Sequence, residues 1–302
     1  MVTEAPEVGR GAWRAWVLAA RVPTLTVSVS SVLVGTATAI GAGAGQVLPA
    51  LAALIGAVAI QVGTNYHNDA SDFLHGADTV ERRGPTRATA AGLLSASLVL
   101  GGAYLCFGLA GLAGLYLVLL RGWPILLVGA LSVAAGIAYT AAPFRLGYRG
   151  LGDLLVFLFF GVVAVVGTDY VQTGAIREVA VLASIPVGLL ATAVLVLNNL
   201  RDLDTDRASG KRTLAVRLGP DATRVQFGLC LAGALAVPGI MRAGGVVGSW
   251  FWVPYLAAPL AVSLVAVVAT RNDGPSLIWA LKGTALLLLL FSLLFALVLA
   301  RG

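Results

Sequence analysis

Apolar runs of about 20 residues, separated by short polar or glycine-rich connections, repeat along nearly the whole chain. Each is long enough for a helix to cross the roughly 30 Å hydrocarbon core of a bilayer. Spans are predicted at 22–41, 48–67, 92–110, 123–141, 152–171, 179–198, 222–241, 249–269 and 277–299, with the third able to run on towards Leu120. Ahead of them, residues 1–20 are polar and then amphipathic, carrying Trp13, Trp16, Arg10 and Arg14, as an interfacial segment would. The fold class expected is therefore all-α: a polytopic membrane bundle of nine transmembrane helices, read as one domain over 1–302.

Composition agrees. Charged residues make up 11% of the chain and hydrophobic ones 59%, whereas globular proteins carry about 25% charged residues. The formal charge of +6 does not imply nucleic acid, because the basic residues fall in particular inter-span segments. Fifteen of the twenty lie on one predicted side and four on the other, with Lys282 inside the last span. That asymmetry predicts a multi-pass protein of the inner (plasma) membrane, with the N-terminus cytoplasmic and the C-terminus external. Cys106 and Cys230 lie inside apolar runs and are expected to be small core residues. The first residues lack a compact apolar core followed by a cleavage site, so no removable signal peptide is expected.

Two long connections, at 70–91 and 199–221, fall on the predicted cytoplasmic side, and each begins with a polar motif. In Asn65-Tyr66-His67-Asn68-Asp69-Ala70-Ser71-Asp72, a helical turn of about 100° per residue puts Asn65, Asn68, Asp69 and Asp72 on one face and His67 on the other. In Asn198-Asn199-Leu200-Arg201-Asp202-Leu203-Asp204-Thr205-Asp206, the same spacing groups Asn198, Asp202, Thr205 and Asp206 and excludes Asp204. Asparagine precedes aspartate by four residues in both motifs, and four spans separate them, a hint of a parallel internal repeat.

Ionisable residues at a membrane boundary are costly, and clusters of them mark function. Two oxygen-rich faces suit a hard divalent cation, which takes one or two carboxylates together with substrate phosphates. Asn68, Asp69, Asp72, Asp202 and Asp206 are the candidate metal ligands, with Asn65 and Asn198 beside them. Arg82, Arg87, Arg145, Arg201 and Lys211 are candidates for the remaining phosphate oxygens. A metal–diphosphate site embedded in lipid suggests an apolar substrate tail in a central cavity on the cytoplasmic side. Tyr139 and Phe144 could steady a cationic fragment with their ring faces. A secondary transporter is the non-enzyme alternative, but transport sites lie near the bilayer midplane and these carboxylates gather at one face.

The motifs Asn68-Asp69-x-x-Asp72 and Asp202-x-x-x-Asp206 resemble the two aspartate-rich motifs of the UbiA superfamily of intramembrane prenyltransferases. Further stretches, Gly84-Pro85-Thr86-Arg87, Pro143 to Gly150, Gly161 to Thr168, and Gly210-Lys211-Arg212-Thr213, resemble its 1,4-dihydroxy-2-naphthoate polyprenyltransferase branch. The resemblance implies Mg²⁺-dependent transfer, with two ions, of a polyprenyl group from its diphosphate onto an aromatic carboxylic acid, with loss of CO₂. It leaves 4-hydroxybenzoate and homogentisate as alternative acceptors. Arg145 or Arg149, and then Arg21, are the candidates for the acceptor's carboxylate. Asp153 stands where this branch often carries glutamate.

Overall fold

The computed structural model describes residues 12–76 and 87–301, and among them every regular element is helical. In chain order these are α1 (Ala12–Ala20), α2 (Thr26–Gly41), α3 (Val47–Leu74), α4 (Ala96–Arg121), α5 (Trp123–Ala138) and α6 (Gly152–Thr173). Then follow α7 (Glu178–Arg201), the short α8 (Leu203–Ala208) and α9 (Leu214–Leu218), α10 (Pro220–Ala243), α11 (Ser249–Thr270) and α12 (Gly274–Leu299). Among the described residues, eight helices are long and apolar enough to cross a membrane, counting α2 with its 3-10 lead-in from Val22. The protein is a multi-pass membrane protein.

Two predicted spans differ. The fourth, expected at 123–141, is the 16-residue α5, about 24 Å long and short of the hydrocarbon thickness. It stops because the chain turns at Tyr139, whose carbonyl accepts the Gly147 amide. The third does not start at residue 92. Residues 88–94 are turns and bends, Ser95 caps the helix by accepting the Leu98 amide, and no proline intervenes before Gly122. A single residue in the left-handed region, Gly122 at φ 83°, therefore links α4 to α5.

Burial reflects a bundle solvated by lipid. The main core joins α2, α7, α10, α11 and α12, with Phe227, Phe291 and Phe295 fully enclosed. On α4, Leu105, Leu112 and Leu119 recur every seventh residue and stay exposed, as a lipid-facing stripe should. Helix α7 is the most buried span. It meets α6 so closely that a Cβ on Gly161 would lie 2.6 Å from the Gly188 Cα, the small-residue contact that lipid-embedded helices favour. The expected interfacial segment contains α1, which turns Ala15 and Ala19 inward and leaves Trp13 exposed. Trp16 stacks edge-on to Tyr66 of α3 at 5.1 Å.

The polar ends of the long helices decide where chemistry can occur. Helix α3 extends to Leu74, so the whole first motif is helical. Helix α7 ends at Arg201, and Asp202 joins it to α8. Both motifs thus sit at the C-terminal ends of spanning helices, which open on one shared cavity.

Candidate active site

That cavity, about 390 Å³ in volume, is the feature around which the polar residues assemble. On α3 its wall is Ala53, Gly56, Ala57, Ile60, Gln61, Thr64, Asn65, Asn68 and Asp72, a single helical face. From Ala53 to Asp72 this face is about 28 Å long at 1.5 Å per residue, close to the thickness of a bilayer core. The head is polar, with Asn68, Asp72, Asn198, Asp202, Asp206 and Lys211. The far end is apolar, with Leu117, Ile125, Val128 and Val171.

The two motifs meet at the head. Lys211 donates from Nζ to Asp72 Oδ2 at 3.1 Å, and Arg87 donates to the same oxygen at 3.3 Å. Tyr148 donates its hydroxyl to Asp72 Oδ1 at 2.6 Å. Asp202 is held on both oxygens by Arg201, at 2.8 and 2.7 Å, and Arg201 also reaches Asn198 Oδ1 at 2.8 Å. Lys211 ties its backbone amide to the Asp206 carbonyl at 2.9 Å. Asp204 is exposed and off the cavity, as its helical phase requires.

Other named residues take different places. Asp69 is buried but does not line the cavity. It accepts the Thr89 amide at 3.0 Å and the Thr89 hydroxyl, which holds the turn that follows Arg87. Asn65 lines the cavity, yet its side-chain amide donates to the Ala20 carbonyl at 2.9 Å. With Gln61, which donates to the Thr24 carbonyl at 2.8 Å, it clamps the turn carrying Arg21. Arg21 and Arg145 are the two non-glycine residues with positive φ among the described residues, at 54° and 42°. Such backbone strain persists only where surrounding contacts over-determine it, and it clusters at functional sites. Arg21 lines the cavity, whereas Arg145 and Arg149 do not. Arg149 bonds the Pro143 carbonyl, and Arg145 lies over the Tyr148 ring at 5.7 Å.

Tyr139 lines the cavity, wedged against Gly147 and Gly152, where a Cβ would come within 2.6 and 2.7 Å of its side chain. Phe144 is exposed and off the cavity, while Phe159 and Phe160 of α6 line it. These two lie in a π-helical stretch, Phe157–Val163, a distortion common at functional sites. Arg82 lies outside the described residues. Asp153 is buried beside Gln226 and off the cavity, as is His67. The sequence reading missed Tyr148, Thr140, which donates to Asn68 Oδ1 at 2.8 Å, and Gln61. None belongs to a charged motif, and Tyr148 sits in a connection without periodicity.

The donor set can be tested for its fit to Mg²⁺. Asp72, Asp202 and Asp206 offer carboxylate oxygens and Asn68 an amide oxygen at the head of the cavity, with no thiol or imidazole among its lining residues. Hard oxygen donors, few in number, are what Mg²⁺ takes when phosphates and water complete its six positions. Lys211, Arg87 and Arg201 offset the buried carboxylate charge. In donor chemistry these residues fit the ion.

Residues 28–282 match the UbiA prenyltransferase family. The 1,4-dihydroxy-2-naphthoate octaprenyltransferase of Mycobacterium tuberculosis is 40% identical over 95% of this chain and 97% of its own length. The protein of the same name from Escherichia coli is 36% identical over 94% of each chain. Among solved structures, a UbiA homologue from Aeropyrum pernix superposes with a TM-score of 0.67, at 17% identity, over 89% of this chain and 96% of its own. One from Archaeoglobus fulgidus bound to GPP and Mg²⁺ gives 0.62 at 12% identity, over 93% and 99%. At those identities the structures speak to the fold.

Proposed function

Because this chain belongs to the UbiA prenyltransferase family, we propose that it transfers a polyprenyl group from a polyprenyl diphosphate onto 1,4-dihydroxy-2-naphthoate. The ring loses its carboxylate as CO₂, giving demethylmenaquinol, the two-electron-reduced form of demethylmenaquinone, for menaquinone biosynthesis. The observation that carries this reading is one cavity joining an aspartate-rich head to an apolar end about 28 Å away along α3. A diphosphate fits the first and an isoprenoid tail the second. Relatives named 1,4-dihydroxy-2-naphthoate octaprenyltransferase, matched over nearly their whole length, support the naphthoate as acceptor.

Asn68, Asp72, Asp202 and Asp206 would hold two Mg²⁺ ions, and bound Mg²⁺ supplies charge neutralisation to the departing diphosphate. Lys211 and Arg87, already at the head, bind the phosphate oxygens that remain. Asp69 acts indirectly by holding the turn beyond Arg87. As the allylic C–O bond breaks, its electron pair leaves with the diphosphate. Tyr139, on the cavity wall, turns ring density towards the cationic prenyl carbon. The electron-rich naphthoate ring attacks that carbon through the position bearing the carboxylate. Loss of CO₂ returns the C–C electron pair to the ring. Arg21 on the cavity wall, its turn clamped by Asn65 and Gln61, pairs with the acceptor's carboxylate. Residues 1–302 act as one domain in the inner membrane, the head of the cavity and the N-terminus facing the cytoplasm.

Acceptor labelled with ¹⁴C in its carboxylate tests the reading. One labelled CO₂ should be released per ring prenylated by purified protein in lipid, and Arg21→Ala should raise the KM for the naphthoate more than tenfold. A product retaining the carboxylate, or faster turnover of 4-hydroxybenzoate, would overturn the acceptor assignment.

A further inference from the structure

Asp72 receives three donors of two kinds. Lys211 and Arg87 bring positive charge to Oδ2. Tyr148 brings a neutral hydroxyl to Oδ1 at 2.6 Å, across 76 residues of sequence. Tyr148 lies in the connection between α5 and α6, so neither aspartate motif contains it. Yet it touches both motif arms. Its carbonyl accepts the Arg212 amide at 2.9 Å, fastening the connection to the loop after α8. The Lys211 ammonium lies 4.7 Å from the centre of its ring, within cation–π range. The Lys211 amide in turn holds the Asp206 carbonyl.

We propose that Tyr148 is a positioning residue that registers the two motif arms against each other, its hydroxyl orienting the Asp72 carboxylate and its ring face the Lys211 ammonium. The inference rests on the reading above, in which both groups face a metal-bound diphosphate. Tyrosine suits the role chemically. The terminal torsion of an aspartate is broad, so an untethered carboxylate swings between orientations. A neutral O–H donor fixes it without cancelling the negative charge that a cation needs, as another lysine would. The ring quadrupole holds the ammonium while leaving its charge available to phosphate.

The two contacts separate by substitution. Tyr148→Phe removes the hydroxyl and keeps the ring, and Tyr148→Leu removes both. Binding of geranyl thiolodiphosphate, a slow-reacting sulfur analogue, is measured by calorimetry on the full chain in nanodiscs, without acceptor, across a Mg²⁺ series. Tyr148→Phe should raise the half-saturating Mg²⁺ on the order of tenfold, the scale of one hydrogen bond to a charged group. Its affinity for the analogue at saturating Mg²⁺ should stay within threefold. Tyr148→Leu should weaken both by roughly tenfold. Thermal unfolding followed in parallel should stay at the wild-type midpoint for Tyr148→Phe. An unchanged Mg²⁺ requirement in Tyr148→Phe overturns the proposal. So does an equal loss of analogue affinity in both variants with a lowered midpoint, which marks a loop-folding role. Failure of the wild-type protein to bind the analogue at any Mg²⁺ concentration would overturn the diphosphate reading itself.

Discussion

Filling the apolar end of the cavity should shorten the tail the enzyme accepts without disturbing the head. Gly114 on α4 and Gly129 on α5 both line the cavity, and a Cβ built on either meets nothing within 4 Å. A leucine at Gly114 or Gly129 would therefore project into open space. Gly114 lies level with Gly56 of α3, whose Cβ would meet the neighbouring Ala113 at 3.9 Å. Gly56 precedes Asp72 by 16 positions, so the plug stands about 24 Å from the head. An extended isoprene unit, four C–C bonds of about 1.5 Å each, covers about 5 Å. Farnesyl diphosphate, with three units, stops short of the plug, and chains beyond about five units reach it. The hydrophobic effect gives little help here, because the tail leaves one apolar phase for another. The penalty is steric, on the order of 1–3 kcal/mol by analogy with overpacking, or about 5- to 150-fold in kcat/KM. The assay compares kcat/KM for farnesyl and octaprenyl diphosphates with wild-type, Gly114→Leu and Gly129→Leu protein in nanodiscs. Selective loss for the octaprenyl donor is expected. Equal loss for both donors, or no loss for either, would show that the tail runs elsewhere.

Two further outcomes follow from the geometry. Asp206→Asn should cut turnover by more than a hundredfold while Asp204→Asn stays within threefold, because the two share one short helix and Asp206 alone of the pair lines the cavity; kcat values measured side by side in membranes check this, and equal damage would defeat the helical-face reasoning. If α5 crosses as a ninth span beside the eight long helices, reporter fusions should find the N-terminus cytoplasmic and Gly302 external, the orientation the arginine distribution favours; a cytoplasmic Gly302 would mean that α5, at 16 residues, does not cross.

Local patterns carried much of this protein. Apolar runs gave the spans, because the bilayer demands length and satisfied backbone whatever the packing. Helical phase separated Asp206 from Asp204 correctly, since both sit within one continuous turn. The same phase could not distinguish Asp69 from Asp72. Both lie within about 60° on α3, and only the turn at 88–91, folded against that helix, claims Asp69 through Thr89. Likewise helical phase puts Asn65 beside the candidate ligands but could not show that its amide nitrogen is bound to the Ala20 carbonyl at the end of α1. Arg21, Arg145 and Arg149 look equivalent as residues, yet of the three Arg21 alone reaches the cavity wall. Tyr148 had no sequence signal beyond its place in a resembling stretch, because its importance lies in contacts made across 76 residues to Asp72 and across a loop to Lys211. Periodicity reports which face of its own helix a residue occupies, while partners on other segments exist only once the bundle has closed.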